Sequence, residues 1–170
     1  MEYTRSASPG RSQENSDHKW FMNKIVNPLV RLILRSPLHK LFSGSLLIIT
    51  CCGRKTGREY SLPVQYAQAG NIIYIVPGMP EQKTWWRNLN EAAPVQLTLR
   101  GQNLAGNAVV LKPEADSEAI LDGFGAYLQR FPALIKYQHI HVEADGSFNP
   151  EELRLAARQA VIIRVELNQE

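Results

Sequence analysis

Five apolar segments, each six to eight residues long, follow one another between Ser45 and Leu111: Ser45–Cys52, Tyr60–Ala67, Asn71–Val76, Val95–Arg100 and Leu104–Leu111. Apolar runs of this length, rich in Ile, Val, Thr and Tyr and bounded by turn residues, read as strands. Most are separated by glycine-bearing turns: Gly53-Arg54-Lys55-Thr56-Gly57, Gly70-Asn71 and Gly101-Gln102-Asn103. Connections this short join antiparallel neighbours, whereas parallel strands need a crossover of a dozen or more residues. A doubly wound parallel sheet is thereby excluded. The remaining connection carries Pro77-Gly78-Met79-Pro80 and then a short helix, with Thr84 as its expected cap ahead of Trp85, Trp86, Leu89 and Asn90.

Helical periodicity flanks this strand region. Met22, Ile25, Val26, Leu29, Ile33 and Leu34 follow the i, i+3, i+4 series, with Lys24, Arg31 and Arg35 on the opposite face. Asn27-Pro28 and Ser36-Pro37 are helix-start signals within Lys19–Phe42. Residues 1–18 are polar and without apolar period, and read as a disordered tail. Toward the C-terminus, Ser117–Gln129 places Ile120, Leu121, Phe124 and Leu128 on one helical face. Phe131–Tyr137 is a further short helix, Pro150–Gln159 a third with Asn149 as cap, and Ala160–Leu167 a last strand. The expected fold is mainly β with peripheral helices (α+β): an antiparallel barrel in one domain, 19–170, that includes the amphipathic segment 19–42.

Charge is unevenly spread. Between Asp17 and Glu59 there is no acid, yet there are eight bases: Lys19, Lys24, Arg31, Arg35, Lys40, Arg54, Lys55 and Arg58. Such a stretch attracts an anion or a lipid surface, or is a solvated basic face. Nucleic acid is not expected as a partner, because the bases cluster in one turn and one helix without aromatics spaced for base stacking. The only cysteines, Cys51 and Cys52, are adjacent on a strand, so their thiols point to opposite faces and suit a reduced intracellular protein. No signal peptide is visible. The apolar stretch Leu46–Cys52 is far shorter than the ~20 residues of a spanning helix.

Two clusters can carry chemistry. Gly53–Arg58 puts three cations and a hydroxyl in a glycine-flanked turn. Glycine permits close backbone approach, exposed turn amides can form an anion nest, and Arg grips phosphate oxygens in bidentate fashion. The turn is neither a Walker loop nor a dinucleotide fingerprint. Lys83-Thr84-Trp85-Trp86-Arg87-Asn88 offers aromatic faces beside cations, suited either to a planar anionic ligand or to plugging the barrel core. No metal site is expected: His139 and His141 lack a third ligand nearby. No G-x-S-x-G is present, and the central region is poor in acids. The chemistry therefore points to a bound cofactor.

LLIITCCGRKTGREYSLPVQY followed by IIYIVPGMPEQKTWWRNLNEAAPVQLTL resembles the deazaflavin (coenzyme F420)-dependent nitroreductase and quinone reductase family, and RFPALIKYQ resembles that family's distal helix. The resemblance implies a split β-barrel of the flavin-binding type. It implies that Arg54, Lys55, Thr56, Gly57 and Arg58 cradle the phosphodiester and glutamate tail of F420. Pro63 and Val64 pass beside the ring, Val76, Pro77 and Gly78 flank it on the next strand, and Lys83, Trp85, Trp86 and Asn88 close the pocket. The family's substrate-side tyrosines stand here as Phe131, Leu134 and Tyr137, so only the last keeps its hydroxyl. Tyr66 is the other retained phenol. Tyr137 and Tyr66 are thus the catalytic candidates, either one donating a proton or hydrogen bond to an acceptor that receives hydride from reduced F420.

The implied acceptor is a small molecule, a quinone or a nitroaromatic; 19–42 either docks on the barrel's open end with its bases facing solvent or lies on the inner face of a membrane where quinones dissolve. The implied location is cytoplasmic. Rivals are an FMN- or haem-binding barrel and a non-catalytic F420 carrier; a flavin phosphate would also suit Arg54 and Lys55.

Overall fold

The computed structural model describes residues 44–168. The expected tail (1–18) and amphipathic helix (19–42) lie outside the described residues. Within them the chain forms β1 (Leu46–Cys52), β2 (Glu59–Gln65), β3 (Ala67–Ala69), β4 (Ile72–Ile75), a 3₁₀ helix (Trp85–Leu89), β5 (Ala93–Leu99), β6 (Gln102–Val110), α1 (Ser117–Arg130), α2 (Ala133–Tyr137), α3 (Pro150–Gln159) and β7 (Ile163–Leu167). All seven strands belong to one antiparallel sheet of order β2-β1-β5-β6-β7-β4-β3.

The two edges of that sheet, β2 and β3, are consecutive in sequence and separated by Tyr66 alone. Laid flat, seven strands would hold their outermost members about 29 Å apart, at ~4.8 Å per strand. One residue spans only ~3.5 Å. The sheet must therefore curl until its margins meet, which makes it a barrel. Tyr66 sits at this seam, buried, with its N–H donating to the Ser45 carbonyl at 3.4 Å.

The seam corrects one expectation. Tyr60–Ala67 is not a single strand paired with Asn71–Val76. Residues 59–65 pair with β1 (Cys52↔Glu59 through Leu46↔Gln65), and only Ala67–Ala69 pair with β4. Apolar pattern alone cannot show that a strand changes partners midway. A second correction concerns the β5–β6 turn. Its two loop residues are Arg100 and Gly101, both at positive φ (51° and 80°), between paired Leu99 and Gln102. Positive φ at both central positions matches the right-handed twist of the flanking strands. Gln102 and Asn103, expected in the turn, thus begin β6.

Strand alternation builds two cores. Ile73 and Ile75 of β4 join Leu47, Ile49, Leu97 and Val165 inside the barrel, while Tyr74 between them faces Phe124, Leu128 and Ile162 in a second cluster under α1 and α3. Cys51 is buried and Cys52 exposed, the opposite facing that alternation requires. Burial and the neighbouring Cys52 push the Cys51 thiol up. The cap of α3 is as expected: the Asn149 side-chain oxygen accepts from the N–H groups of Glu151 and Glu152 at 3.1 and 3.2 Å.

Candidate functional site

Residues 53–58 form the hairpin loop between β1 and β2, set by the Cys52↔Glu59 pair. Backbone bonds close it. The Gly53 N–H donates to the Arg58 carbonyl at 2.8 Å, and the Gly53 carbonyl accepts from Thr56 and Gly57 N–H at 3.2 and 2.8 Å. The Arg58 N–H donates to Thr56 Oγ1 at 3.3 Å. Both glycines are required, for different reasons. Gly57 has φ +65°, where a side chain is strained. A Cβ at Gly53 would stand 2.7 Å from Cε2 of Tyr60.

These bonds change how the loop can hold an anion. Of the six amides from Gly53 to Arg58, four donate inside the turn and the Arg54 N–H donates to Asn88 Oδ1 at 3.2 Å. Only the Lys55 N–H has no acceptor among the described residues. The expected backbone nest is therefore largely spent, and anion binding falls to the side chains of Arg54, Lys55 and Arg58, all in exposed residues. Among the described residues Lys55 and Arg58 have no carboxylate partner, while Arg54 Nη2 pairs with Glu91 Oε1 at 2.6 Å.

The 3₁₀ helix is tied to this turn. Asn88 accepts from Arg54 N–H through Oδ1 and donates to the Trp85 carbonyl through Nδ2 at 2.9 Å. Trp86 Nε1 donates to the Pro80 carbonyl at 3.0 Å, binding the 77–80 loop to the same helix. Arg87 lies over the Trp86 ring, 5.5 Å from its centroid. Trp85 and Trp86 are half-buried against the barrel core, as are Leu62 and Val64 of β2. The two indoles thus serve the core and still present area outward. Thr84 precedes the helix but makes no capping hydrogen bond through its side chain, contrary to expectation. A five-residue 3₁₀ turn offers few free amides for a cap to satisfy.

The expected ring-side residues are joined by a group not singled out from sequence. Tyr127 of α1 is 2% exposed, and its hydroxyl lies 3.5 Å from both Gln65 Oε1 and the Val76 carbonyl. It links the end of β2, just past Pro63 and Val64, to the stretch Val76-Pro77-Gly78. Burial pushes its pKa up to about 12, so it stays a neutral donor. Its sequence context, Ala126-Tyr127-Leu128, looks like ordinary helix core. Pro63, half-buried, is opposite Ile48 on an edge strand, the place in a sheet where proline is found. Pro77 is buried, and Gly78 and Lys83 are exposed.

The two candidate phenols are not alike. Tyr137 ends α2 and is 77% exposed; Tyr66 is 3% exposed at the barrel seam. His139 and His141 lie in the loop after α2, and His141 Nδ1 sits 2.8 Å from Glu152 Oε1. Among the described residues no group of three or more His, Cys, Asp or Glu is placed to hold a metal ion. The shallow depression between α1 and α3, about 170 Å³ and lined by Ile120, Leu121, Arg154 and Arg158, is separate from these residues. At that volume it falls below the ~300 Å³ of the smallest usual ligand sites.

A curled antiparallel sheet whose edge strands β2 and β3 meet at Tyr66, bearing a cationic hairpin, half-buried indoles and a proline on β2, defines a split-barrel cofactor-binding protein. The family model F420H(2)-dependent quinone reductase matches residues 36–138, and the chain belongs to that family. It is an F420H2-dependent oxidoreductase acting on a small-molecule acceptor. Among solved structures, it is similar to an F420-H2 dependent reductase (FDR-A), at 16% identity over 72% of this chain and 94% of that one, with a TM-score of 0.51. It is also similar to HutZ, the heme storage protein from Vibrio cholerae, at 15% identity over 80% of this chain and 92% of that one, with a TM-score of 0.50. Identities this low speak to the fold. No curated protein matches the chain.

The residues present fit F420. Its phosphodiester and glutamate carboxylates call for exposed cations free to bind, and the hairpin supplies Lys55 and Arg58 without a carboxylate partner among the described residues.

Proposed function

We propose that Arg54, Lys55 and Arg58 hold the anionic arm of F420, with Thr56 and Gly57 shaping the turn that presents them. In this reading Pro63, Val64, Val76, Pro77 and Gly78 border the ring, and Lys83, Trp85, Trp86 and Asn88 close the pocket from the 3₁₀ side. The bound coenzyme supplies hydride from its ring carbon. The protein contributes orientation, water exclusion by the indoles, and a proton or hydrogen bond at the acceptor oxygen. Tyr137, the exposed phenol, is the first candidate for that donor; Tyr66 is the second and would reach an acceptor only from inside the barrel. A quinone is the acceptor class we favour. The basic segment 19–42 would meet an anionic bilayer from the cytoplasmic side, as part of a single domain 19–170.

The observation that carries this reading is an exposed hairpin on which five of the six amides are already bonded, while the side chains of Lys55 and Arg58 have no carboxylate partner among the described residues. Binding of F420 and of FMN, followed by fluorescence, tests it on the full chain and on the Arg54→Ala, Lys55→Ala double variant. The parent should bind F420 more tightly than FMN, and the double variant should lose at least about tenfold in F420 affinity, since charge-assisted bonds are worth ~1.5–3 kcal/mol each. F420 affinity equal to the parent's would show that the arm lies elsewhere.

A further inference from the structure

Arg54 differs from the other two cations of the hairpin. Its guanidinium already carries a carboxylate, Glu91 Oε1, at 2.6 Å. Glu91 lies just beyond the 3₁₀ helix, and its side chain is 75% exposed. It is the only acid between Glu81 and Glu114. Nothing in the core depends on it. The Arg54 backbone, by contrast, is held, because its N–H donates to Asn88 Oδ1. The guanidinium can therefore change partners by side-chain rotation alone, with the turn unmoved.

Taking as given the placement of the F420 arm on this hairpin, we infer that Glu91 is a built-in competitor for the cofactor's carboxylates: it occupies Arg54 in the absence of ligand and is displaced when the glutamate tail binds. Glu91 holds Arg54 through Nη2, and a glutamyl carboxylate gripping the guanidinium in bidentate fashion along that edge needs the same donor, so the two compete for it. Lys55 and Arg58, with no carboxylate partner among the described residues, make first contact with the arm, and Arg54 then exchanges Glu91 for it. Glu91 thereby sets affinity for the tail while leaving the ring site untouched. Exposed ion pairs are worth ~0.2–1 kcal/mol, so removing this one should tighten binding by about 1.5- to 5-fold.

The test is a double-mutant cycle read by F420 fluorescence at fixed low ionic strength, with FMN as a probe that lacks the glutamate tail. The four proteins are the parent, Glu91→Gln, Arg54→Ala and the double variant. Competition predicts tighter F420 binding in Glu91→Gln, weaker binding in Arg54→Ala, and no further effect of Glu91→Gln once Arg54 is gone. FMN should respond to Glu91→Gln less than F420 does. If Glu91→Gln leaves F420 affinity unchanged or lowers it while Arg54→Ala weakens it, the competitor role is wrong and the cradle stands. If Glu91→Gln tightens binding equally in both backgrounds, Glu91 acts only through its long-range field, and the role is again wrong. If Arg54→Ala binds like the parent, the cradle itself has failed.

Discussion

Two glycines of α1, Gly123 and Gly125, should respond differently to the same substitution. Either Gly→Ala change in a helix interior gains about 1 kcal/mol from lower backbone entropy in the unfolded chain and better helix propensity. At Gly125 that gain is unopposed: an added Cβ would lie 3.9 Å from the Phe148 ring, an ordinary contact. At Gly123 it would lie 2.5 and 2.6 Å from two atoms of the Tyr74 ring and 3.2 Å from a third. The ring would have to retreat by about 1 Å to restore normal carbon contacts of ~3.5 Å. It has little room, since Tyr74 is 6% exposed and its strand pairs with β3 on one side and β7 on the other.

Overpacking of this kind costs about 1–3 kcal/mol. The propensity gain is common to both variants and cancels in their difference, so Gly123→Ala should be about 1–3 kcal/mol less stable than Gly125→Ala. Thermal unfolding followed by circular dichroism reads this directly, because 1 kcal/mol moves Tm by about 2–4 °C in a chain of this size. Gly125→Ala should melt above the parent and Gly123→Ala below Gly125→Ala by roughly 2–12 °C. In a Tyr74→Leu background the Gly123→Ala penalty should shrink, since the opposing ring is gone. If both glycine variants melt above the parent by the same amount, α1 does not approach β4 as closely as described and the second core is looser.

Gly106→Ala should be destabilising by at least about 1–3 kcal/mol in urea unfolding, because its Cβ would meet the backbone oxygen of Glu166 at 2.6 Å and backbone cannot rotate away. Alkaline stability should report Tyr127. Its folded-state pKa of about 12 lies above the ordinary value of 10.0, so the folded protein keeps a proton that the unfolded chain releases. Stability is full below pH about 10 and declines as pH rises toward about 12, by at most about 2.7 kcal/mol. Tyr127→Phe should flatten that decline relative to the parent; an unchanged slope would place the loss on other groups. Asn149→Ala should cost about 1 kcal/mol through the lost cap of α3, seen as a lower urea midpoint with unchanged m-value.

The strands were legible because a strand buried on both faces reads as a short continuous apolar run bounded by turn residues, as at Ile72–Ile75; that Ile73 and Ile75 enter one core and Tyr74 the other shows only in the fold. The caps and turns were legible where local chemistry decides them, as at Asn149-Pro150 and Gly53–Gly57. What could not be read was pairing across distance. Nothing in Gln65-Tyr66-Ala67 announces that the ladder ends on one edge of the sheet and resumes on the other. The same limit hid Glu91 and Tyr127 as neighbours of the candidate site. Each touches its partners only after the barrel closes, Glu91 across 37 positions to Arg54 and Tyr127 across 51 to Val76.

The hairpin separates shape from charge, and this makes its cations a clean target. The loop is closed by the backbone of Gly53, Thr56, Gly57 and Arg58, by Thr56 Oγ1, and by Asn88 gripping the Arg54 amide. No side chain of Arg54, Lys55 or Arg58 takes part in any of these bonds. Arg54→Ala removes one exposed ion pair, worth ~0–1 kcal/mol, and Lys55→Ala removes none among the described residues. The double variant should therefore unfold within about 1 kcal/mol of the parent in urea. Asn88→Ala is different in kind: it frees the Arg54 amide and unties the turn from the 3₁₀ helix, so amide exchange at Arg54 should quicken although no charge has changed. A double variant that lost several kcal/mol of stability would mean the cations hold the loop together, and its weakened F420 binding could then no longer be read as loss of a contact.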